Sequence, residues 1–280
     1  MEIVLAEEYG FCFGVRRAIG LAEKAVASNN RVATLGAIIH NPLEVERLNR
    51  IGLRTVESID ELEPGEVVLI RSHGVSVEVL KELKKRNIKI INATCPLVAR
   101  AQGMVSFLTS NNYNVIIIGE KGHPEVEGLL SFGNGRARII ASKEEIDLIP
   151  LDKNIGVISQ TTFSFDRFRE ILGEIVRKGW EIRVFNTLCD ASQRRQRAME
   201  KLSESADVII VIGGKNSANT RRLAEIGWKR GIETHHIESW EEVDPRWFHS
   251  KEKIGITAGA STPDWVINKV IEKINKICFQ

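Results

Sequence analysis

The sequence predicts a parallel α/β protein built from three copies of one unit, and three observations lead there. Short aliphatic runs alternate with longer amphipathic stretches along the whole chain, the pattern of strands and the helices that cover them. Three of the four cysteines, Cys12, Cys95 and Cys189, fall at equivalent points of that alternation, each between a strand and a helix. Each is followed 28 residues later by a polar residue just past another strand, at His40, His123 and Ser217.

Runs rich in valine and isoleucine place strands over 3–6, 32–35, 67–70, 88–91, 115–118, 155–158, 182–185, 208–212 and 254–257. Between them, apolar residues at helical spacing predict helices over 15–27, 77–85, 98–108, 165–178, 192–205, 220–229 and 264–277. GFCFGVRRA follows the first strand, NATCPLVAR the fourth and NTLCDASQR the seventh, with Asn92 and Asn186 each three residues ahead of a cysteine. The loops 28 residues on read LGAIIHNP, IGEKGHPE and IGGKNSAN. A second polar loop then closes each copy: RSHGV at His73, SQTT at Thr161 and Thr162, and AGAST at Ser261. The repeating unit is therefore strand, cysteine, helix, strand, polar loop, helix, strand, polar loop, with copies over 1–94, 95–188 and 189–280, the last including a C-terminal helix. No low-complexity linker separates them.

Composition narrows the class of function. Of 280 residues, 43% are apolar and 27% charged, ordinary for a globular protein, and a net charge of +2 gives no reason to expect a nucleic-acid or anionic-membrane surface. The opening MEIVLAEEYG lacks a basic signal-peptide segment, and the longest aliphatic run, 208–212, is far short of a membrane span, so the expected location is the cytoplasm. In that reducing compartment, scattered cysteines with no C-x2-C pair suit neither disulfides nor a zinc ribbon.

Ligand-binding groups of parallel α/β units gather at the carboxyl ends of strands. Three copies about a rough three-fold axis, a trefoil, would turn three cysteines toward one centre. A four-iron cluster takes four cysteines as a rule, so three would leave one iron open, the mark of a catalytic metal. The helix that starts behind each cysteine would aim its positive end at an anionic cluster. The loops hold His, Ser, Thr and Asn, donors suited to an anion, and His40, His73, His123, Ser217, Asn219 and Ser261 could surround a diphosphate. Glu125 in HPEVEG is a candidate proton donor, or equally a helix N-terminal acid favoured by the macrodipole. Gly213-Gly214-Lys215 lacks P-loop spacing, no Gly-x-Gly-x-x-Gly follows a strand, and electrons would have to arrive from another protein. The basic run Arg194-Arg195-Gln196-Arg197 could dock an acidic carrier but reads first as an exposed helical face, and Cys278 lies outside the repeat.

Together GFCFGVRRAI, HNP, RSHGV, NATCPLV, GHPEVEG, SQTT, NTLCDAS, KNSANTRRL and TAGASTPDW resemble the 4-hydroxy-3-methylbut-2-enyl diphosphate reductase (IspH or LytB) family, from about Gly10 to Trp265. The resemblance implies a three-leaved α/β fold around one central 4Fe-4S cluster, with Cys12, Cys95 and Cys189 as ligands and one open iron for the substrate hydroxyl. It implies a reaction that removes the allylic hydroxyl with two electrons and two protons, giving isopentenyl and dimethylallyl diphosphate at the end of the non-mevalonate pathway. It assigns diphosphate binding to His40, His73, His123, Ser217, Asn219 and Ser261. It also assigns proton supply to Glu125 beside His123, and hydroxyl placement to Thr161 or Thr162. Reduced ferredoxin or flavodoxin is the expected electron donor. One departure is Ala218, where family members often carry serine, so only that hydroxyl is missing. Two other readings stay open: a metal-dependent hydrolase or lyase using the same open iron without redox change, and a cluster-containing sensor of a phosphorylated metabolite or a nucleic acid, the latter disfavoured by a net charge of only +2.

Overall fold

The computed structural model describes residues 1–29, 31–148 and 154–278. Its strands are β1 (Glu2–Leu5), β2 (Val32–Leu35), β3 (Leu53–Val56), β4 (Val67–Ile70), β5 (Ile90–Asn92), β6 (Asn114–Ile118), β7 (Ala137–Ile140), β8 (Asn154–Ser159), β9 (Glu181–Val184), β10 (Val208–Ile212), β11 (Glu233–Ile237) and β12 (Lys253–Ala258). The helices are α1 (Phe13–Ser28), α2 (Pro42–Arg50), α3 (Val77–Lys85), α4 (Pro96–Ser110), α5 (Pro124–Ser131), α6 (Phe165–Lys178), α7 (Asp190–Leu202), α8 (Ala218–Lys229) and α9 (Asp264–Cys278).

The strands form three four-stranded sheets in which every pair of neighbours is parallel. Their orders are β3-β2-β4-β5, β7-β6-β8-β9 and β11-β10-β12-β1. The three orders are one order repeated, and in the third sheet the place of the fourth strand is taken by β1, the first strand of the chain, paired Glu2 to Lys253 through Leu5 to Ile256. Each cysteine thus follows the fourth strand of a sheet, and that strand is always an edge.

The chain divides into two compact bodies, Met1–Arg16 with Ile39–Arg50 and Asp190–Gln280, and Arg17–Ile38 with Ile51–Cys189. In the first body the third sheet is covered on both faces, so its central strand is apolar throughout. Val208, Ile210 and Ile212 pack with Ile256, Val266, Val270 and Ile274, whereas Ile209 and Val211 face Met199, Leu202, Leu223 and Ala224. This period of two sorts a continuous aliphatic run into two cores. In the second body, Ile116, Ile118 and Val157 meet Phe168, Ile171 and Ile175, while Val115, Ile117 and Ile158 meet Ala101, Val105, Leu108 and Leu129. Ala33, Val68, Ile70 and Leu83 form a further cluster there.

Strands β3, β7 and β11 and helices α2 and α5 add to the elements read from sequence. The three strands are the opposite sheet edges, and LRTV, ARII and ETHHI mix polar with apolar residues because one side meets no neighbour. Most helices start earlier than their apolar periodicity, since a first turn presents polar groups; α4, for example, begins at Pro96 with Cys95 as its cap.

Ile210 is wholly buried in the central strand, so Ile210→Ala is expected to lower the stability of unfolding by about 2–5 kcal/mol. Trp180, 92% exposed, should tolerate alanine within about 0.5 kcal/mol. Denaturant titrations of the two variants check this contrast, and equal losses would contradict the core described here.

Candidate active site

Each cysteine sits on a turn that the sheet beneath it fixes in the same way. The Cys95 N–H donates to the Ser72 carbonyl at 2.9 Å, that of Cys189 to Thr161 at 2.7 Å and that of Cys12 to Ala260 at 3.1 Å. Ser72, Thr161 and Ala260 each stand two residues past the third strand of their sheet, at the ends of β4, β8 and β12. Two residues ahead of the cysteine a second tie recurs: Ala93 N–H to Ile70 O at 3.0 Å, Gly10 N–H to Ala258 O at 3.3 Å, and the Thr187 hydroxyl to Ser159 O at 2.7 Å. The asparagines three residues ahead close the turn itself, with Asn92 Oδ1 accepting from Thr94 N–H and Asn186 Oδ1 from Leu188 N–H. The Cys12 turn has no asparagine and uses Gly10 at φ +70°, in the left-handed region. All three cysteines are half-buried and unbridged, and Cys12 Sγ accepts the Val15 N–H at 3.4 Å.

In the body formed by Arg17–Ile38 and Ile51–Cys189, Glu125 is 2% exposed. Its Oε1 accepts the Thr161 N–H at 2.6 Å and its Oε2 accepts the Thr161 hydroxyl at 2.8 Å. Burial raises the carboxyl from 4.5 to about 7 against the opposing pull of those two bonds. Thr161 thus joins two candidate elements, gripping Glu125 with its N–H and hydroxyl and the Cys189 turn with its carbonyl. The Thr162 hydroxyl turns elsewhere and accepts from Gln160 Nε2 at 3.0 Å.

His123 caps α5, its Nδ1 accepting the Glu125 N–H at 3.2 Å, which leaves the proton of the neutral ring on Nε2. His73 stands edge-on to it, ring centroids 5.8 Å apart. Glu125 is therefore also the helix N-terminal acid that the sequence allowed.

The other body carries Cys12, His40, Ser217, Asn219 and Ser261. The Ser261 hydroxyl donates to His40 O at 3.0 Å, and Ser217 caps α8 through Thr220 N–H. Asn219, 4% exposed, accepts the Ser192 hydroxyl at 2.9 Å on Oδ1, while its Nδ2 is a buried donor with no hydrogen-bond partner among the described residues. A buried donor left in that state fits a ligand oxygen. Gly213-Gly214 has a packing role, since a Cβ on Gly214 would come within 2.5 Å of His40 O. The 28-residue spacing lands on the helix cap at His123 and Ser217 but one residue ahead of it at His40, where Asn41 Oδ1 takes the Glu44 N–H instead.

Residues without an assigned role in the sequence reading also belong here. Ser192 and Gln160 lie inside quoted motifs; folding brings Ser192 to Asn219, whereas Gln160 reaches Thr162 locally, two residues away. Arg195 is 3% exposed and donates to Gly10 O, which corrects the reading of Arg194–Arg197 as one exposed face. Cys278 packs against the α9 core, and burial pushes its thiol up, in keeping with its place outside the repeat.

The LytB protein family matches residues 3–275 of the chain. The chain belongs to the LytB family. A 4-hydroxy-3-methylbut-2-enyl diphosphate reductase of Geobacter metallireducens is 44% identical over 99% of this chain and 98% of its own. The Geobacter sulfurreducens protein of the same name is also 44% identical, again over 99% and 98%. Among solved structures, one described as (E)-4-hydroxy-3-methyl-but-2-enyl diphosphate reductase, the terminal enzyme of the non-mevalonate pathway, is 43% identical, covering 99% of this chain and 100% of that one with a TM-score of 0.74. The Plasmodium falciparum E-1-hydroxy-2-methyl-but-2-enyl-4-diphosphate reductase is 27% identical over 98% and 87%, with a TM-score of 0.92. LytB-family membership agrees with the parallel α/β fold and its three repeated sheets.

No group of three or more His, Cys, Asp or Glu gathers tightly enough for a single metal ion among the described residues. A single ion draws its donors in to bonds of about 2.3 Å to sulfur, a narrower cage than a cluster several atoms across requires. Cys12, Cys95 and Cys189 are each a thiol on a turn fixed by the sheet beneath it, the kind of donor such a cluster takes.

The raised carboxyl of Glu125 sets a pH dependence. The folded chain holds that proton more tightly than the unfolded chain, so the stability it contributes is complete below pH 4.5 and is lost as pH rises through about 7. Glu125→Gln, neutral throughout, should gain up to roughly 3 kcal/mol relative to the parent between about pH 5 and about pH 8. Denaturation of both proteins at the two pH values measures it; a pH-independent difference would contradict the buried, proton-holding carboxyl.

Proposed function

We propose that this chain removes the allylic hydroxyl of 4-hydroxy-3-methylbut-2-enyl diphosphate to give isopentenyl and dimethylallyl diphosphate, the last step of the non-mevalonate pathway. The reading rests on LytB-family membership and on one local observation: a buried, proton-holding Glu125 gripped by the same Thr161 that ties down the Cys189 turn. In it, the repeats 1–94, 95–188 and 189–280 contribute one cysteine each, Cys12, Cys95 and Cys189, to a single 4Fe-4S cluster with one open iron. When bound, that cluster would pass on two electrons one at a time from an external donor and would offer a Lewis-acidic iron.

The residues of the chain supply the remainder. His40, His73, His123, Ser217, Asn219 and Ser261 hold the diphosphate by hydrogen bonds, so binding energy from the unreactive end orients the allylic end. Support comes from the buried Nδ2 of Asn219, the Nε2–H of a neutral His123, and the N-termini of α5 and α8 behind His123 and Ser217. Thr161 orients the Glu125 carboxyl. Glu125 delivers a proton to the departing hydroxyl, which leaves as water. The allyl fragment takes two electrons and the second proton, so charge and atoms balance.

Electrons come from a reduced ferredoxin or flavodoxin in this reading. The reaction is placed in the cytoplasm, in keeping with four unbridged cysteines. Among the described residues no helix is long and apolar enough to cross a membrane.

The test is anaerobic turnover of the hydroxylated allylic diphosphate, with and without a strong one-electron reductant, on protein assayed for iron and sulfide. Reductant-dependent formation of both C5 diphosphates, lost in Cys95→Ser, is the expected result. Turnover without reductant would instead mean a hydrolase or lyase, and binding without product a sensor. Glu125→Gln should keep iron and sulfide and lower turnover by about 10²–10⁴-fold; near-normal turnover would remove Glu125 from proton delivery.

A further inference from the structure

Two arginines grip the turns that carry cysteines. Arg17, on α1 and five residues after Cys12, donates from Nη1 to Thr94 O at 3.2 Å and from Nη2 to Asn92 O at 3.3 Å, the residues one and three ahead of Cys95. Arg195, on α7 and six residues after Cys189, donates from Nη2 to Gly10 O at 2.7 Å, two ahead of Cys12, and from Nη1 to Ala191 O at 2.8 Å. In each case a guanidinium on the helix behind one cysteine takes backbone carbonyls from the turn in front of another. Arg17 follows Cys12 in the chain and serves the Cys95 turn, and Arg195 follows Cys189 and serves the Cys12 turn. The remaining helix carries Arg100, five residues after Cys95, and that side chain is exposed.

Backbone carbonyls do not need a guanidinium, because water satisfies them at lower cost in side-chain order. Arg195 is nearly inaccessible, and part of what its buried guanidinium reaches is a carbonyl of the Cys12 turn. Sequence alone hides this role: the arginines look like basic residues on solvated helices, and their acceptors are main-chain atoms that carry no residue signature.

We infer that Arg17 and Arg195 are positioning residues of the cluster, fixing the Cys95 and Cys12 turns so that the thiolates stay at ligand distance while the cluster changes charge. The inference rests on the proposed cluster ligation by Cys12, Cys95 and Cys189. Residues that orient metal ligands from behind change metal affinity by about 10–100-fold when removed, so the same range is expected here.

The experiment compares anaerobically reconstituted parent, Arg17→Gln, Arg17→Lys, Arg195→Gln, Arg195→Lys and Arg100→Gln. The readouts are iron and sulfide per chain, the rate of iron loss to a strong chelator, and the EPR spectrum of the dithionite-reduced protein. Far-UV melting of each apoprotein separates folding from ligation. The expected result is iron loss about 10–100-fold faster in Arg17→Gln and Arg195→Gln, with an altered EPR signal and a melt close to the parent's. Arg195→Lys should recover most of the parent behaviour, because one ammonium reaches the single Gly10 carbonyl. Arg17→Lys should recover less, because it cannot span two. Arg100→Gln should match the parent. If Arg195→Gln fails to fold, Arg17→Gln, on a half-buried side chain, decides alone. Unchanged iron loss and EPR in Arg17→Gln, or equal damage from Arg100→Gln, would overturn the inference. A parent that binds no iron and sulfide would overturn the cluster reading itself.

Discussion

The tie between each cysteine and the sheet beneath it is the constraint on which the rest of the site depends. A cysteine N–H meets the carbonyl two residues past a third strand, at Ser72, Thr161 and Ala260, and a second bond anchors the chain two residues earlier. Each such bond contributes only about 0.5–1.5 kcal/mol net, yet together they remove the freedom of a turn that would otherwise swing. Because the acceptors lie inside the polar loops, two residues past each strand, the same bonds tie those loops to the cysteine turns. Ligand position and loop position are thus one geometric decision, made three times.

At Thr161 that decision acquires chemical content. Its carbonyl serves the Cys189 turn and its N–H and hydroxyl serve Glu125, so the proposed proton donor and the proposed ligand turn share a residue. Desolvation of Glu125 outweighs two hydrogen bonds that favour the carboxylate, and the balance falls near neutrality. A carboxyl exposed to water would remain ionised there, and one buried without Thr161 would hold its proton more tightly still. The helix that presents Glu125 is started by His123, whose Nδ1 caps it and whose ring is thereby set in one tautomer.

The repeat also shapes how the chain is assembled. Its three sheets share one strand order only because β1 supplies the fourth strand of the last sheet, pairing with β12 at the far end of the chain. Without β1 that sheet would present β12 as an open edge, and the turn leading to Cys12 would lose its anchors at Ala258 and Ala260.

Much of this was legible in the residues. Central strands buried on both faces must be aliphatic throughout, so VIIVI at 208–212 and its counterparts announce themselves, and a motif of fixed length carries each cysteine to its loop. The opposite edges at 53–56, 137–140 and 233–237 were not legible, because a strand with one open side has no need of an aliphatic run. The sequence by itself determined the fold class, the three cysteine positions and the loops that answer them, since hydrophobic period and chain spacing are local properties. Tertiary structure alone decided that β1 completes the third sheet, that Thr161 rather than Thr162 holds Glu125, that Asn219 keeps a buried donor in reserve, and that Arg17 and Arg195 grip distant turns. Those outcomes depend on main-chain carbonyls and on desolvation, which exist only once distant segments have come together and excluded water.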